Sequence, residues 1–160
     1  MAGTALTIAT PSTASAAEPC IVGWSNTERS CAMAEIPYQV IWTLGNGICA
    51  GMLTVGGTAF DGPRFYAPAD AMHGIELRIS QGFSPIGQWG PQLLACDVNV
   101  TVDWHNLDTG QRGSMTRFVP VARTSTWPMI MDPYPGKGRV QVSVRTDHPS
   151  VPANFEVVVP

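Results

Sequence analysis

Asp103 and His105 lie two residues apart near the end of a run of alternating apolar residues. A carboxylate and an imidazole that close together could pass a proton between them as a general acid–base pair, or hold a metal ion with a third donor. Period two also puts both on the outward face of a strand end, where polar side chains belong whether or not they react. A hydrolase using this pair is therefore the third reading of the chain, and no residue is assigned a catalytic role. The other histidines, His73 and His148, share no ligand spacing with His105. The four cysteines contain no Cys-x-x-Cys pair, and no metal or other cofactor is expected. Neither Gly23-Trp24-Ser25 nor Gly82-Phe83-Ser84-Pro85 completes the Gly-x-Ser-x-Gly turn that exposes a serine nucleophile. Gly45, Gly47 and Gly51 lack the following helix that would make a phosphate loop of them.

The elements that must position these residues read as strands. From Leu94 to Trp104, Leu94, Cys96, Val98, Val100, Val102 and Trp104 alternate with Ala95, Asp97, Asn99, Thr101 and Asp103. Only a strand puts six such residues on one side, so this stretch predicts a central strand with one buried face. Ile36 to Leu44 alternates as well, with Tyr38, Val40, Trp42 and Leu44 on one face and Gln39, Ile41 and Thr43 on the other. The Asn46-Gly47 pair suits a tight hairpin turn back into Ile48 to Val55, which Gly56-Gly57 is expected to end. Further strands are predicted at His73 to Ser80, with Ile75, Leu77 and Ile79 inward, and at Gly113 to Val121, whose alternation is blurred. Gly138 to Asp147, with Val140, Val142 and Val144 inward, and Ala153 to Val159, with Phe155, Val157 and Val159 inward, complete the set. Gln81 to Pro91 and Arg123 to Gly136 read as aromatic and proline loops. About eight strands with no helix between them predict an all-β fold, an antiparallel two-sheet sandwich, immunoglobulin-like in architecture.

Compartment follows from the first residues and the cysteines. Met1 to Ala17 carries no charge and ends in Ala14-Ser15-Ala16, which reads as a signal-peptidase site. Residues 1–16 are expected to be the remnant of a longer secretory leader, and 17–160 a single β-sandwich domain. No segment is apolar over the length a membrane-spanning helix needs. Four cysteines in an exported chain predict two disulfides, with Cys20–Cys31 and Cys49–Cys96 the preferred pairing. The expected location is extracellular or cell-wall associated, in a bacterial setting.

Two surfaces are candidates for function. The aromatic loops carry Phe83 and Trp89, and then Trp127, Met129, Met131 and Tyr134; exposed aromatic side chains of this kind anchor partners. Residues 111–145 hold Arg112, Arg117, Arg123, Lys137, Arg139 and Arg145 against Asp132 alone, whereas residues 1–110 are predominantly acidic. Neighbouring strands there would form a basic face carrying Arg139 and Arg145, suited to an anionic polymer or an acidic partner. A net charge of −3 together with export argues against nucleic acid.

The run Pro128-Met129-Ile130-Met131-Asp132-Pro133 resembles the reactive loop of the subtilisin-inhibitor family, small secreted proteins with two disulfides. The resemblance implies a proteinaceous serine-protease inhibitor with a Met-containing reactive loop at 128–133. Trp127 stands where that family has a tethering cysteine. The leading expectation is a secreted, non-enzymatic protein that binds an unknown protein, or an anionic or carbohydrate polymer, at the cell exterior. Its contacts would be the aromatic and proline loops and the basic C-terminal face.

Overall fold

The computed structural model describes residues 32–46, 49–62, 72–83, 93–121 and 128–160. The leader, the Cys20–Cys31 pair, Trp89 and Trp127 lie outside the described residues. The described residues form eight strands in two antiparallel four-stranded sheets. In one, β1 (Met33–Gly45), β2 (Cys49–Phe60), β3 (Gly74–Gln81) and β6 (Met129–Met131) lie in the order β1-β2-β3-β6. In the other, β4 (Val98–Asn106), β5 (Arg112–Val119), β7 (Gly138–Thr146) and β8 (Ala153–Val159) lie in the order β5-β4-β7-β8.

The inner faces meet in one core. Ile41, Leu53, Val55, Ile75, Leu77 and Ile79 from the first sheet pack with Val98, Val100, Val102, Val140, Val142, Val144, Val157 and Val159 from the second. These are the odd or even members of each alternating run, as the two-residue period of a strand dictates. Burying each such side chain stabilises the fold by about 1.5–3 kcal/mol relative to exposure. A disulfide between Cys49 and Cys96 ties the start of β2 to the approach to β4. Among the described residues there is no helix long and apolar enough to cross a membrane.

Three details differ from the sequence-based expectation. The central strand begins at Val98, not Leu94: Leu94 has a positive φ of 57° and stays partly exposed, so the backbone turns there while Cys96 still reaches the core. β2 runs through Gly56-Gly57 to Phe60, because both glycines are used for close approach. A Cβ on Gly57 would lie 1.8 Å from the Glu76 carbonyl oxygen of β3, and one on Gly56 would meet the Tyr38 ring at 2.6 Å. The predicted loop from Arg123 to Gly136 contains a strand, since Met129–Met131 pairs with Leu77–Ile79 at the edge of the first sheet.

Asn106 closes the far end of β4. Its side chain is fully buried and donates Nδ2–H to the carbonyls of Pro135 at 3.0 Å and Lys137 at 2.9 Å. Its Oδ1 accepts the backbone N–H of Asp108 and of Thr109, each at 3.0 Å. One amide thereby shapes the 106–110 turn and holds the segment that leads into β7. Gly110, at φ 77°, completes that turn in a conformation other residues avoid.

Candidate functional site

The outer faces of the two sheets have opposite character. On the first, register and burial place Tyr38, Val40, Trp42 and Leu44 in a row along β1, pointing away from the core, while Ile41 and Thr43 between them are buried. Tyr38 is 70% exposed, Val40 52%, Trp42 56% and Leu44 52%. A register shift between Ile36 and Gln39 turns the strand and brings Tyr38 over Gly56. Met52 pairs with Trp42 and is half-buried beside it. The backbone of Met52 accepts from Gly82 N–H at 2.7 Å and donates to the Leu94 carbonyl at 2.8 Å. The exposed side chains of Phe83, Leu93 and Leu94 therefore lie next along the same end of the sheet.

Arg78 borders this apolar row and binds Glu76 with Nε–Oε1 at 2.6 Å. The hydrogen bond that Arg78 donates to the buried Glu76 carboxylate, and then the charge of that carboxylate, raise the pKa of Arg78. The row thus has a fixed cation at one side. Soluble domains rarely leave so many large apolar side chains contiguous on one face, and aromatic residues among them are the usual anchors of an interface.

The second sheet turns a polar face outward. In successive rows across it stand Ser114, Asp103, Ser143 and Asn154, and then Arg112, His105, Gln141 and Glu156. Asp103 and His105 are both on this face, as their spacing predicts, but they are not joined. Asp103 accepts from Ser114 Oγ at 2.6 Å and from Arg145 Nε at 3.0 Å. Asp103 and His105 both line a shallow cavity of about 450 Å³ together with Arg112, Gln141, Ser143 and Asn154. Among the described residues no group of three or more His, Cys, Asp or Glu side chains is placed to hold a metal ion. No known family, curated protein or solved structure matches this chain.

The residues singled out from sequence separate into three groups. Phe83 is exposed. Arg139 and Arg145 are exposed but already partnered: Arg139 makes bonds of 3.1 and 3.0 Å to Asp108 Oδ1 through its guanidinium, and Arg145 holds Asp103. The backbone N–H of Arg139 also reaches Asp108 Oδ2, and this bond, followed by the guanidinium, keeps the Asp108 carboxyl below its ordinary pKa. The basic face is thus partly neutralised by acids that a linear count places elsewhere in the chain.

The third group is held inward. Met131 has no exposed surface, and Met129 is half-buried in β6. Tyr134 is half-buried and meets Phe60 edge to face, with ring centroids 6.4 Å apart. The 129–131 part of the run that resembles an inhibitor loop is therefore a strand in a sheet, and burial removes Met131 from any contact surface. The outward apolar row on β1 is not legible in the sequence, because Tyr38, Val40, Trp42 and Leu44 alternate with Gln39, Ile41 and Thr43, and such a contrast ordinarily marks the apolar set as the buried one. Arg112, Gln141, Ser143 and Asn154 are on three strands, β5, β7 and β8, and no local pattern groups them.

Proposed function

We propose that this chain is a secreted, non-enzymatic binding domain that holds a partner protein against the outer face of β1 and β2. The observation that carries the reading is the row Tyr38, Val40, Trp42 and Leu44, more than half exposed on a face where a solvated sheet would carry polar side chains. Aliphatic side chains interleaved with Tyr and Trp suit a protein surface, with the aromatic rings as anchors and Arg78 at the rim. Export is supported by the Cys49–Cys96 disulfide, which persists in an oxidising compartment, and by the uncharged leader-like start of the chain. A binding role and not a catalytic one is supported by Asp103, whose two oxygens are engaged by Ser114 and Arg145.

The test is affinity capture from the extracellular fraction of the source cells with three immobilised proteins. These are the natural chain, the double variant Tyr38→Ser, Trp42→Ser, and a control, Phe118→Ser, altered at an exposed residue of the other sheet. A partner retained by the natural chain and the control but lost from the double variant supports the reading. Equal capture by all three proteins, or loss only with Phe118→Ser, overturns it. Thermal unfolding should be unchanged in the double variant, because neither side chain is in the core.

A further inference from the structure

The polar face of the second sheet divides into groups that satisfy one another and groups that do not. Thr101 and Thr116 share a hydrogen bond at 2.8 Å, Asn99 donates to Asp147 at 2.7 Å, and Asp103 is bound by Ser114 and Arg145. Between these pairs, the side chains of His105, Arg112, Gln141, Ser143 and Asn154 make no hydrogen bond to another group among the described residues, and all five line the 450 Å³ cavity. That volume lies within the range of small-ligand sites, roughly 300–1,000 Å³. The unspent groups are concentrated where there is room for a ligand.

Their chemistry is specific. The Gln141 and Asn154 amides and the Ser143 hydroxyl each both donate and accept, which matches hydroxyl groups that do the same. The Arg112 guanidinium presents a planar fork for a carboxylate, and His105 stands beside it as the paired residue on β4. Of the other charges on this face, the Asp103 carboxylate also lines the cavity, but its two oxygens are held by Ser114 and Arg145. Glu156 lies at the far end of the row Arg112–His105–Gln141–Glu156, about 14 Å from Arg112 at the usual strand spacing. A ligand's acidic group is therefore drawn to the Arg112 end and repelled from the other.

We propose that this cavity binds an acidic oligosaccharide, with a uronate carboxylate on Arg112 and His105 and sugar hydroxyls on Gln141, Ser143 and Asn154. The site is independent of the apolar row on β1, which belongs to the opposite sheet.

The experiment titrates the purified, disulfide-intact domain with a galacturonic acid trimer, with the neutral trimer maltotriose and with sodium sulfate, followed by calorimetry and by amide chemical shifts. The uronate trimer should bind saturably with a Kd on the order of 1 mM or tighter, and the neutral trimer at least about tenfold more weakly. Arg112→Gln should weaken uronate binding by roughly tenfold or more, with Arg112→Lys intermediate, since lysine keeps the charge but loses the fork. Gln141→Ala and Asn154→Ala should weaken it by several-fold, on the order expected for loss of a neutral hydrogen bond. All three positions are exposed, and unchanged thermal unfolding confirms that the variants fold. Absence of saturable uronate binding, binding unaffected by Arg112→Gln and Gln141→Ala, or sulfate binding equal to that of the trimer would each overturn the proposal.

Discussion

Arg145 donates its Nε–H to Asp103 Oδ2 at 3.0 Å across the boundary between β4 and β7, while Ser114 donates to Oδ1 from the β5 side. The carboxylate thus joins three strands of the second sheet on their outer face. Both charged partners are well exposed, so water and salt weaken the attraction between them.

A double-mutant cycle on Asp103→Ala and Arg145→Ala should give a coupling of about 0.2–1 kcal/mol in urea unfolding, decreasing as salt is raised. A coupling above about 2 kcal/mol would mean that the pair is far less solvated than its exposure indicates.

Asn106 should be far more sensitive. It is fully buried, and Asn106→Ala removes the donor held by the Pro135 and Lys137 carbonyls and the acceptor for Asp108 and Thr109. Each buried partner left unmatched is expected to cost about 1–3 kcal/mol, so a loss of roughly 3 kcal/mol or more is predicted. Asn106→Asp should be no milder, since it keeps the acceptor but turns an anionic oxygen toward the carbonyls. The midpoint of urea unfolding measures both; a loss below about 1 kcal/mol would show that water replaces the network.

Replacing Cys49 and Cys96 together by Ser should destabilise the domain by about 4 kcal/mol, from the chain entropy released when a link spanning 47 residues is removed. For a chain of this length that corresponds to a fall in Tm of roughly 10 °C. Reduction of the natural protein should lower Tm by at least as much, and a Tm insensitive to reductant would contradict the prediction.

Asp147 should make the fold acid-sensitive. The Asn99 side chain donates to Asp147 Oδ2 at 2.7 Å and the Asn99 backbone to Oδ1 at 3.0 Å. The side-chain bond is the first cause of a lowered pKa; burial opposes it, and the backbone bond and the charge of His148 assist. With the folded value below the unfolded one, the unfolded chain binds more protons in the window between them, so stability rises with pH there. The contribution is complete above the ordinary Asp value of about 4 and is lost as pH falls through the lowered value. Asn99→Ala should move the Asp147 carboxyl midpoint upward in a carbon-detected NMR titration, and an unmoved midpoint would exclude this hydrogen bond as the cause.

The inward sets Val98–Val100–Val102, Ile75–Leu77–Ile79 and Val140–Val142–Val144 were legible because each is apolar against a polar alternate set. On β1 the contrast is inverted, since the apolar set Tyr38, Val40, Trp42 and Leu44 faces outward while Ile41 and Thr43 face the core. Met129 to Met131 was assigned to a loop because three residues between prolines are too few to show a period, and only the free edge of β3 makes a strand of them. The Asp103–His105 spacing was read correctly as one face, but the partners that engage Asp103 come from β5 and β7.

The sequence by itself determined the all-β class and most of the core residues, because strand periodicity is carried by residue type along the chain; it left three cysteine pairings open, with Cys49–Cys96 in the preferred one, and the structure makes that link. Tertiary structure alone decided which face of β1 meets solvent, which arginines of the C-terminal half are neutralised, and which five polar side chains share a cavity. Those outcomes depend on strand order and register across two sheets, and the contacts that set them join residues far apart in the chain.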